Sequence, residues 1–143
     1  DKVALIEIVK PIEEIIVHYQ PTIIYTHHGG DLNIDHRIVH QAVLTACRPQ
    51  PSSSIHKILA FEVNSSTEWA SESMGGHFNP NYYSDISDVI DDKKELLSHY
   101  QHEMRPYPHS RSIEAIINLN KVRGSNMGLN AAEAFVLIRE VSK

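Results

Sequence analysis

The sequence has few of the features on which disulfide-bonded, membrane-spanning or nucleic-acid-binding proteins depend. Its 143 residues include one cysteine, Cys47, which cannot form an internal disulfide. Cys47 ends the largely apolar run 42–47, and this position predicts a buried, inert thiol in a reducing, cytoplasmic compartment. No stretch is long and apolar enough to span a bilayer. Lys and Arg total 13 against 18 Asp and Glu, with no basic cluster, so nucleic acid is not expected as a partner.

The first residues lack the marks of a natural N-terminus. Asp1 to Ile6 contain no initiator methionine and no basic segment followed by an apolar one, which a signal peptide requires. The sequence is therefore expected to begin inside a longer protein. Its length and ordinary globular composition fit a single α/β domain over residues 1–143. The oligomeric state is left open, with a homo-oligomer as one alternative.

The spacing of apolar residues predicts alternating helices and strands. The predicted helices cover residues 3–19, 35–47, 87–102 and 112–123, and Gly124 follows the last of them at a position suited to a left-handed residue. The predicted strands cover residues 22–26, 57–63, 82–86 and 134–138, with a helix over 131–140 as the alternative to the last. Polar loops are expected at 64–80 and 105–110. Short β-branched strands in this order indicate an α/β fold.

The densest group of chemically active side chains is the run 27–37, which joins the first predicted strand to the second predicted helix. Ligands bind at such loops in open parallel sheets, and zinc takes imidazole and carboxylate ligands like those found here. His36 and His40 are four residues apart on one helix face and could share a metal, although the glutamate of an HExxH site is missing. Spacing alone favours a polar loop whose Asp35 caps the helix and whose His side chains are solvated.

A resemblance to a known family favours a metal site over a solvated polar loop. The run Thr26–Arg37 resembles the second metal motif of the PIG-L (LmbE-like) zinc-dependent de-N-acetylases. Further similar segments follow in the same order over nearly the whole chain: Phe61–Trp69, Phe78–Pro80, Arg105–Ala115, Arg123-Gly124, Gly128 and Ala132–Phe135. The resemblance implies a three-layer, Rossmann-like α/β fold with a mostly parallel sheet and a metal at its C-terminal edge. It also implies that the chain is the C-terminal two-thirds of such a deacetylase.

The resemblance assigns roles to residues of the motif. It makes His36 a ligand of zinc, or of another divalent metal, and it makes Asp35 the carboxylate that orients His36. Many family members carry a histidine three residues before the ligand, where this sequence has Asn33. An Asn side chain can donate a hydrogen bond to an oxyanion but cannot deliver a proton. Either Asn33 serves only as an oxyanion donor, or the acid role passes to another residue, for which His109 is the candidate.

The family's first metal motif, Ala-His-Pro-Asp-Asp, is missing from the 143 residues. In the family it supplies two further ligands and the general base, so this chain alone is expected to be inactive. The implied reaction is hydrolysis of the acetamide of an N-acetylglucosamine-like sugar by zinc-activated water. Trp69 would stack on the sugar or pin its own loop to the core, and Arg105 and Arg111 would bind an acidic group of the substrate or remain solvated. The alternative function is a non-catalytic, sugar-binding or degenerate member of the same fold.

Overall fold

The computed structural model describes residues 3–142, which divide into two compact units. One unit contains the residues up to 79 together with those from 136 onward, and the other contains residues 80–135. The helices are α1 (Leu5–Tyr19), α2 (Ile34–Ala46), α3 (Ile90–Ser98) and α4 (Ile113–Ser125). The strands are β1 (Ile23–His27), β2 (Lys57–Phe61), β3 (Tyr82–Asp85) and β4 (Ala132–Glu140), hydrogen-bonded in the order β1-β2-β4-β3.

The first unit is built on α1, α2 and the strands next to them. α1 packs against α2, and α2 packs against β1. Its buried core contains Val43, Cys47, Ile55 and Ile58. Burial raises the pKa of the Cys47 thiol, which confirms the predicted buried cysteine. The opposite face of β1 is exposed, since Ile23 is 44% and Tyr25 is 55% accessible.

The sheet is open and mixed, which corrects the expectation of a mostly parallel one. β1 and β2 are parallel, with His27 opposite Phe61, because α2 returns the chain to the same end of the sheet. β3 and β4 are antiparallel, because the chain passes through two helices between them and enters β4 from the other end. The end of β4 lies at the start of β2, where Lys57 Nζ is 2.8 Å from Glu140 Oε1. β2 and β4 are therefore also antiparallel.

The second unit contains β3, α3, α4 and the first half of β4. Ser112 Oγ accepts a hydrogen bond from the Ala115 amide at 3.0 Å and so caps α4. Lys93 Nζ contacts Glu133 Oε1 at 2.6 Å and links α3 to β4. Gly124 lies inside the last turn of α4 rather than after it. A Cβ at this position would be 2.6 Å from the Ala131 Cα, so the close approach of the two backbones requires glycine. The C-terminal segment, for which the sequence left strand and helix equally open, is a strand.

No helix within residues 3–142 combines the length and hydrophobicity needed to cross a membrane.

Candidate metal centre

The centre is formed where β1 ends and α2 begins. His27 is the last residue of β1, and the loop that follows carries Asp31, a carboxylate with 0% accessibility. Asp31 Oδ1 lies 3.0 Å from His36 Nδ1 in the first turn of α2. A carboxylate can only accept, so Nδ1 carries the proton and Nε2 of His36 keeps its lone pair. This is the tautomer in which a histidine binds a metal through Nε2.

Asp31 is held ionised by donors from two segments. Its carboxylate accepts hydrogen bonds from Ser66 Oγ, from Thr67 Oγ1 at 2.7 Å and from the Asn33 amide at 2.8 Å. Burial alone would raise the pKa of Asp31, but these hydrogen bonds and the neighbouring His36 together lower it below its ordinary value. The buried carboxylate is therefore charged near neutral pH, and it stabilises positive charge on or near the His36 ring.

Two basic side chains brace the loop. One guanidinium nitrogen of Arg37 donates to the carbonyls of Asp31 and Leu32, each at 2.7 Å. Nδ1 of His40 donates to the His27 carbonyl, also at 2.7 Å. The His40 ring lies so close to Gly29 that a Cβ on this residue would be 2.8 Å from His40 Nε2. The loop backbone is thus fixed from the side of α2.

The Ser66–Thr67 turn is also organised before any ligand arrives. Ser65 has a φ of 65°, a left-handed conformation, and its amide donates to Glu68 Oε1 at 2.6 Å. The Val63 amide donates to Thr67 Oγ1 at 2.7 Å, so this hydroxyl accepts from one segment while it donates to Asp31. The hydroxyls that hold Asp31 therefore belong to a turn whose own hydrogen bonds fix it.

The His27 ring lies against His36. The two rings are stacked, with centroids 4.1 Å apart and planes inclined by 18°, and the Phe61 ring contacts His27 at 4.8 Å. Burial, and then the neighbouring His36, lower the pKa of His27, so His27 is neutral at neutral pH. The ring nitrogen Nδ1 of His27 is buried without a hydrogen-bond partner in the described part of the chain.

The arrangement fits one metal ligand rather than a complete site. Within the described part of the chain, Nε2 of His36 has no hydrogen-bond partner and Nδ1 has a carboxylate behind it, which is the usual setting of a metal-binding histidine. Residues 3–142 contain no group of three or more His, Cys, Asp or Glu side chains that could hold an ion. His40 does not pair with His36 in the way that their spacing allowed, because its Nδ1 is bound to the His27 carbonyl and its Nε2 faces Gly29.

The residues predicted around His36 have different positions from those expected. Asp31, not Asp35, is the carboxylate bonded to His36, and Asp35 is exposed at the start of α2. The cap of α2 is Asn33, whose side-chain oxygen accepts from the Asp35 amide at 2.9 Å, so the capping role predicted for Asp35 is also wrong. The NH₂ group of Asn33 faces no acceptor within residues 3–142, which leaves it able to donate. Catalytic roles for Asn33 and Asp35 stay predictions.

Three further predicted residues lie in the second unit. Arg105 donates to the carbonyls of His102 and Met104, and Arg111 pairs with Glu103 at 2.8 Å. The Arg111 amide donates to His109 Nδ1 at 3.0 Å, so the His109 ring proton is on Nε2. In this tautomer the Nε2–H group of His109 is able to donate a hydrogen bond. The substrate-binding and acid roles of these residues stay predictions.

Trp69 follows the Ser66–Thr67 turn by two residues, and its side chain is 55% accessible. An exposed indole ring offers a flat apolar face that could contact a ligand. Its predicted contact with a sugar is untested.

Sequence reasoning missed the residues that support His36. Asp31, Ser66 and Thr67 all lie within segments that resemble the deacetylase family, but their contact joins positions 35 and 36 residues apart. Arg37 was within the motif too, and its hydrogen bonds go to backbone carbonyls that no pattern marks. The available signal was an acidic residue beside two glycines, which indicates a loop folded tightly enough to bury a carboxylate.

Comparison with known proteins shows the fold. No protein-family model and no curated protein sequence matches the chain. Similar solved structures include the N,N'-diacetylchitobiose deacetylase of Pyrococcus horikoshii, with 16% identity, a TM-score of 0.64, and coverage of 93% of this chain and 51% of that one. The deacetylase of an antimicrobial pseudoaglycone has 16% identity, a TM-score of 0.66, and coverage of 97% and 58%.

A third similar structure is an enzyme with another activity. The 4-carboxy-2-hydroxymuconate hydratase of Pseudomonas putida has 16% identity, a TM-score of 0.66, and coverage of 99% of this chain and 62% of that one. The chain therefore shares a mixed α/β fold with two deacetylases and a hydratase. It spans about half to three-fifths of their length.

Proposed function

We propose that this chain is the C-terminal part of a metal-dependent hydrolase of the PIG-L (LmbE-like) family, which removes the acetyl group from an N-acetylated sugar. The observation that carries the proposal is the pairing of His36 with the buried carboxylate of Asp31 after the end of β1, in a chain with the fold of two deacetylases. The three-layer, Rossmann-like arrangement belongs to the same proposal. So does a cytoplasmic location, for which the buried single cysteine is the argument.

His36 Nε2 would hold the metal, which is zinc or another divalent ion. When bound, the ion supplies a polarised acetamide carbonyl and a water molecule of lowered pKa. Asp31 holds the His36 ring and keeps Nδ1 protonated, so that Nε2 remains a lone-pair donor. Two further ligands and the general base would come from outside these 143 residues, as the family's first motif implies.

The remaining residues would bind and orient the substrate. The NH₂ group of Asn33, at the start of α2, would donate to the oxyanion that forms when water attacks the carbonyl. His109 would protonate the departing amine or donate through Nε2–H to the substrate. The exposed face of Trp69 suits the apolar face of a pyranose. Arg105 and Arg111 would bind an acidic group of a sugar conjugate.

A second candidate is addition of water to a carbon–carbon double bond in a carboxylated substrate. The likeness to a hydratase favours this candidate. Hydration adds the hydroxyl group of water to one carbon and a proton to the other, so this reaction would need an acid as well. A non-catalytic sugar-binding protein is the remaining alternative.

The deciding experiment uses the complete protein that contains this chain. Acetate release from N-acetylglucosamine and N,N'-diacetylchitobiose is measured together with zinc content by elemental analysis. We expect about one zinc per chain, lost with activity in His36→Ala and retained in His18→Ala, which removes an exposed histidine from α1. Full zinc content and activity in His36→Ala would overturn the proposal. Hydration without acetate release would favour the second candidate, and sugar binding without either reaction would favour the third.

A further inference from the structure

The proposed mechanism gives no role to the His27 ring. This ring lies at the end of β1, stacked on His36 at 4.1 Å. We propose that His27 is a positioning residue that holds the face of the His36 ring while Asp31 holds its edge, so that Nε2 of His36 points in one direction. The inference rests on the proposed function, in which His36 binds the metal.

A hydrogen bond at one atom does not fix a ring completely. The bond from His36 Nδ1 to Asp31 Oδ1 restrains the position of the ring edge but leaves the ring able to tilt about the bond axis. A parallel ring with its centroid 4.1 Å away opposes that tilt, because tilting would drive the two faces into each other. A metal–nitrogen bond lies in the plane of the imidazole, so a fixed plane means a fixed direction for the metal.

His27 is itself held rigidly. Its carbonyl accepts from His40 Nδ1 at 2.7 Å, and the next amide, that of His28, donates to the Phe61 carbonyl at 3.0 Å. The Phe61 ring also contacts the His27 ring at 4.8 Å. Main chain and side chain are thus anchored to β2 and to α2, and the stacked ring provides a firm surface for His36.

The stacked geometry separates this role from that of a second ligand. The lone pairs of an imidazole lie in its own plane, and the planes of His27 and His36 are inclined by only 18°. An ion about 2 Å from Nε2 of one ring would lie far outside the plane of the other. His27 also lacks the carboxylate or carbonyl that usually supports a ligating histidine, since its Nδ1 has no partner within residues 3–142. The two rings therefore cannot bind the same ion.

The test compares two substitutions in the complete protein. His27→Phe keeps a flat ring without nitrogen atoms, and His27→Ala removes the ring. We expect His27→Ala to weaken zinc binding by about 10-fold, the lower end of the loss seen when groups supporting a ligand are removed. We expect His27→Phe to bind zinc within about threefold of wild type, because stacking needs no ring nitrogen. His18→Ala serves as the control for loss of a histidine.

A second measurement uses the metal-free protein and does not depend on activity. In the NMR spectrum, the His36 ring protons should show an upfield ring-current shift in wild type and in His27→Phe, and the shift should disappear in His27→Ala. A melting temperature measured for each variant shows that it is folded, and His27→Leu replaces His27→Ala if the latter does not fold. Unchanged zinc affinity in the ring-less variant would overturn the inference, and so would equal losses in His27→Phe and His27→Ala. If wild type bound no zinc, the proposed function would fail, while the NMR comparison would still decide whether His27 positions His36.

Discussion

Replacing Asp31 with Asn tests the centre most directly. The substitution preserves shape but removes the charge and turns one acceptor oxygen into a donor. Oδ1 of Asp31 faces three donors, from Asn33, His36 and Ser66, whereas Oδ2 faces the Thr67 hydroxyl. The new NH₂ group will therefore turn towards Thr67. That hydroxyl oxygen can accept from it, but the hydroxyl hydrogen then loses its acceptor.

The expected magnitude follows from these four hydrogen bonds. A hydrogen bond to a charged group contributes about 1.5–3 kcal/mol and a neutral one about 0.5–1.5, so each bond weakens by about 1 kcal/mol. Part of this loss is offset, because a neutral amide costs less to bury than a carboxylate. We expect Asp31→Asn to lower the free energy of unfolding by about 2–4 kcal/mol, which corresponds to a fall of about 5–15 °C in melting temperature. Zinc affinity should fall about 10- to 100-fold, because Asp31 is the partner of His36 Nδ1.

Thermal unfolding of the metal-free complete protein, followed by circular dichroism, and zinc titration against a competing chelator measure the two effects. Asp35→Asn is the matched comparison, because it neutralises a carboxylate of the same segment that is exposed and not bonded to His36. Because Asp35 lies in the first turn of α2, Asp35→Asn should lower the free energy of unfolding by less than about 1 kcal/mol, the size of a helix-dipole contribution. If Asp35→Asn lost zinc affinity and Asp31→Asn did not, the assignment of Asp31 as the orienting carboxylate would be refuted.

Three other predictions concern acid stability, α4 and the Trp69 loop. The pKa of Asp31 is lowered in the folded state, so its contribution to stability is complete above the unfolded pKa of about 3.9 and is lost as pH falls from there through the folded value. Urea unfolding of the metal-free protein should therefore show a free energy of unfolding that falls with pH in this range, and Asp31→Asn should make that dependence weaker. Gly124→Ala should destabilise the protein by about 1–3 kcal/mol, because a Cβ would lie 2.6 Å from backbone, whereas exposed Asn118→Ala in the same helix should have little effect on the denaturation midpoint. Trp69→Ala should raise KM for an N-acetylated sugar with little change in melting temperature, since the ring is 55% exposed. A large fall in stability at constant KM would instead assign the Trp69 ring to packing of its own loop.

The sequence placed His36 correctly at the start of a helix after a buried strand, because that geometry is local. It assigned the supporting carboxylate to Asp35, the neighbour in sequence, and helical geometry explains the error. Consecutive residues of an α-helix point about 100° apart, so the side chain of Asp35 diverges from that of His36. Asp31 lies before the helix, in a loop that folds back towards the first turn, and only the structure reveals that return.

The sheet shows a second limit of sequence reasoning. Alternation and β-branched residues located the first three strands within a few residues and left the fourth open between strand and helix, but a strand pattern is the same whichever way the strand runs. Direction depends on the connections. One helix joins β1 to β2 and makes them parallel, whereas two helices join β3 to β4 and make them antiparallel.

One buried carboxylate joins the two segments from which the proposed enzyme would bind metal and substrate. Asp31 bonds to His36 on one side and to Ser66 and Thr67 on the other, and Trp69 follows two residues later. The direction of His36 therefore depends on the folding of the 62–69 segment, although this segment contributes no ligand to the proposed site. A substitution that loosens this turn would weaken metal binding through Asp31, without contact with the ion. This dependence explains why a single motif, read from 27 to 37, predicts His36 as a ligand but does not reveal the contacts that orient its ring.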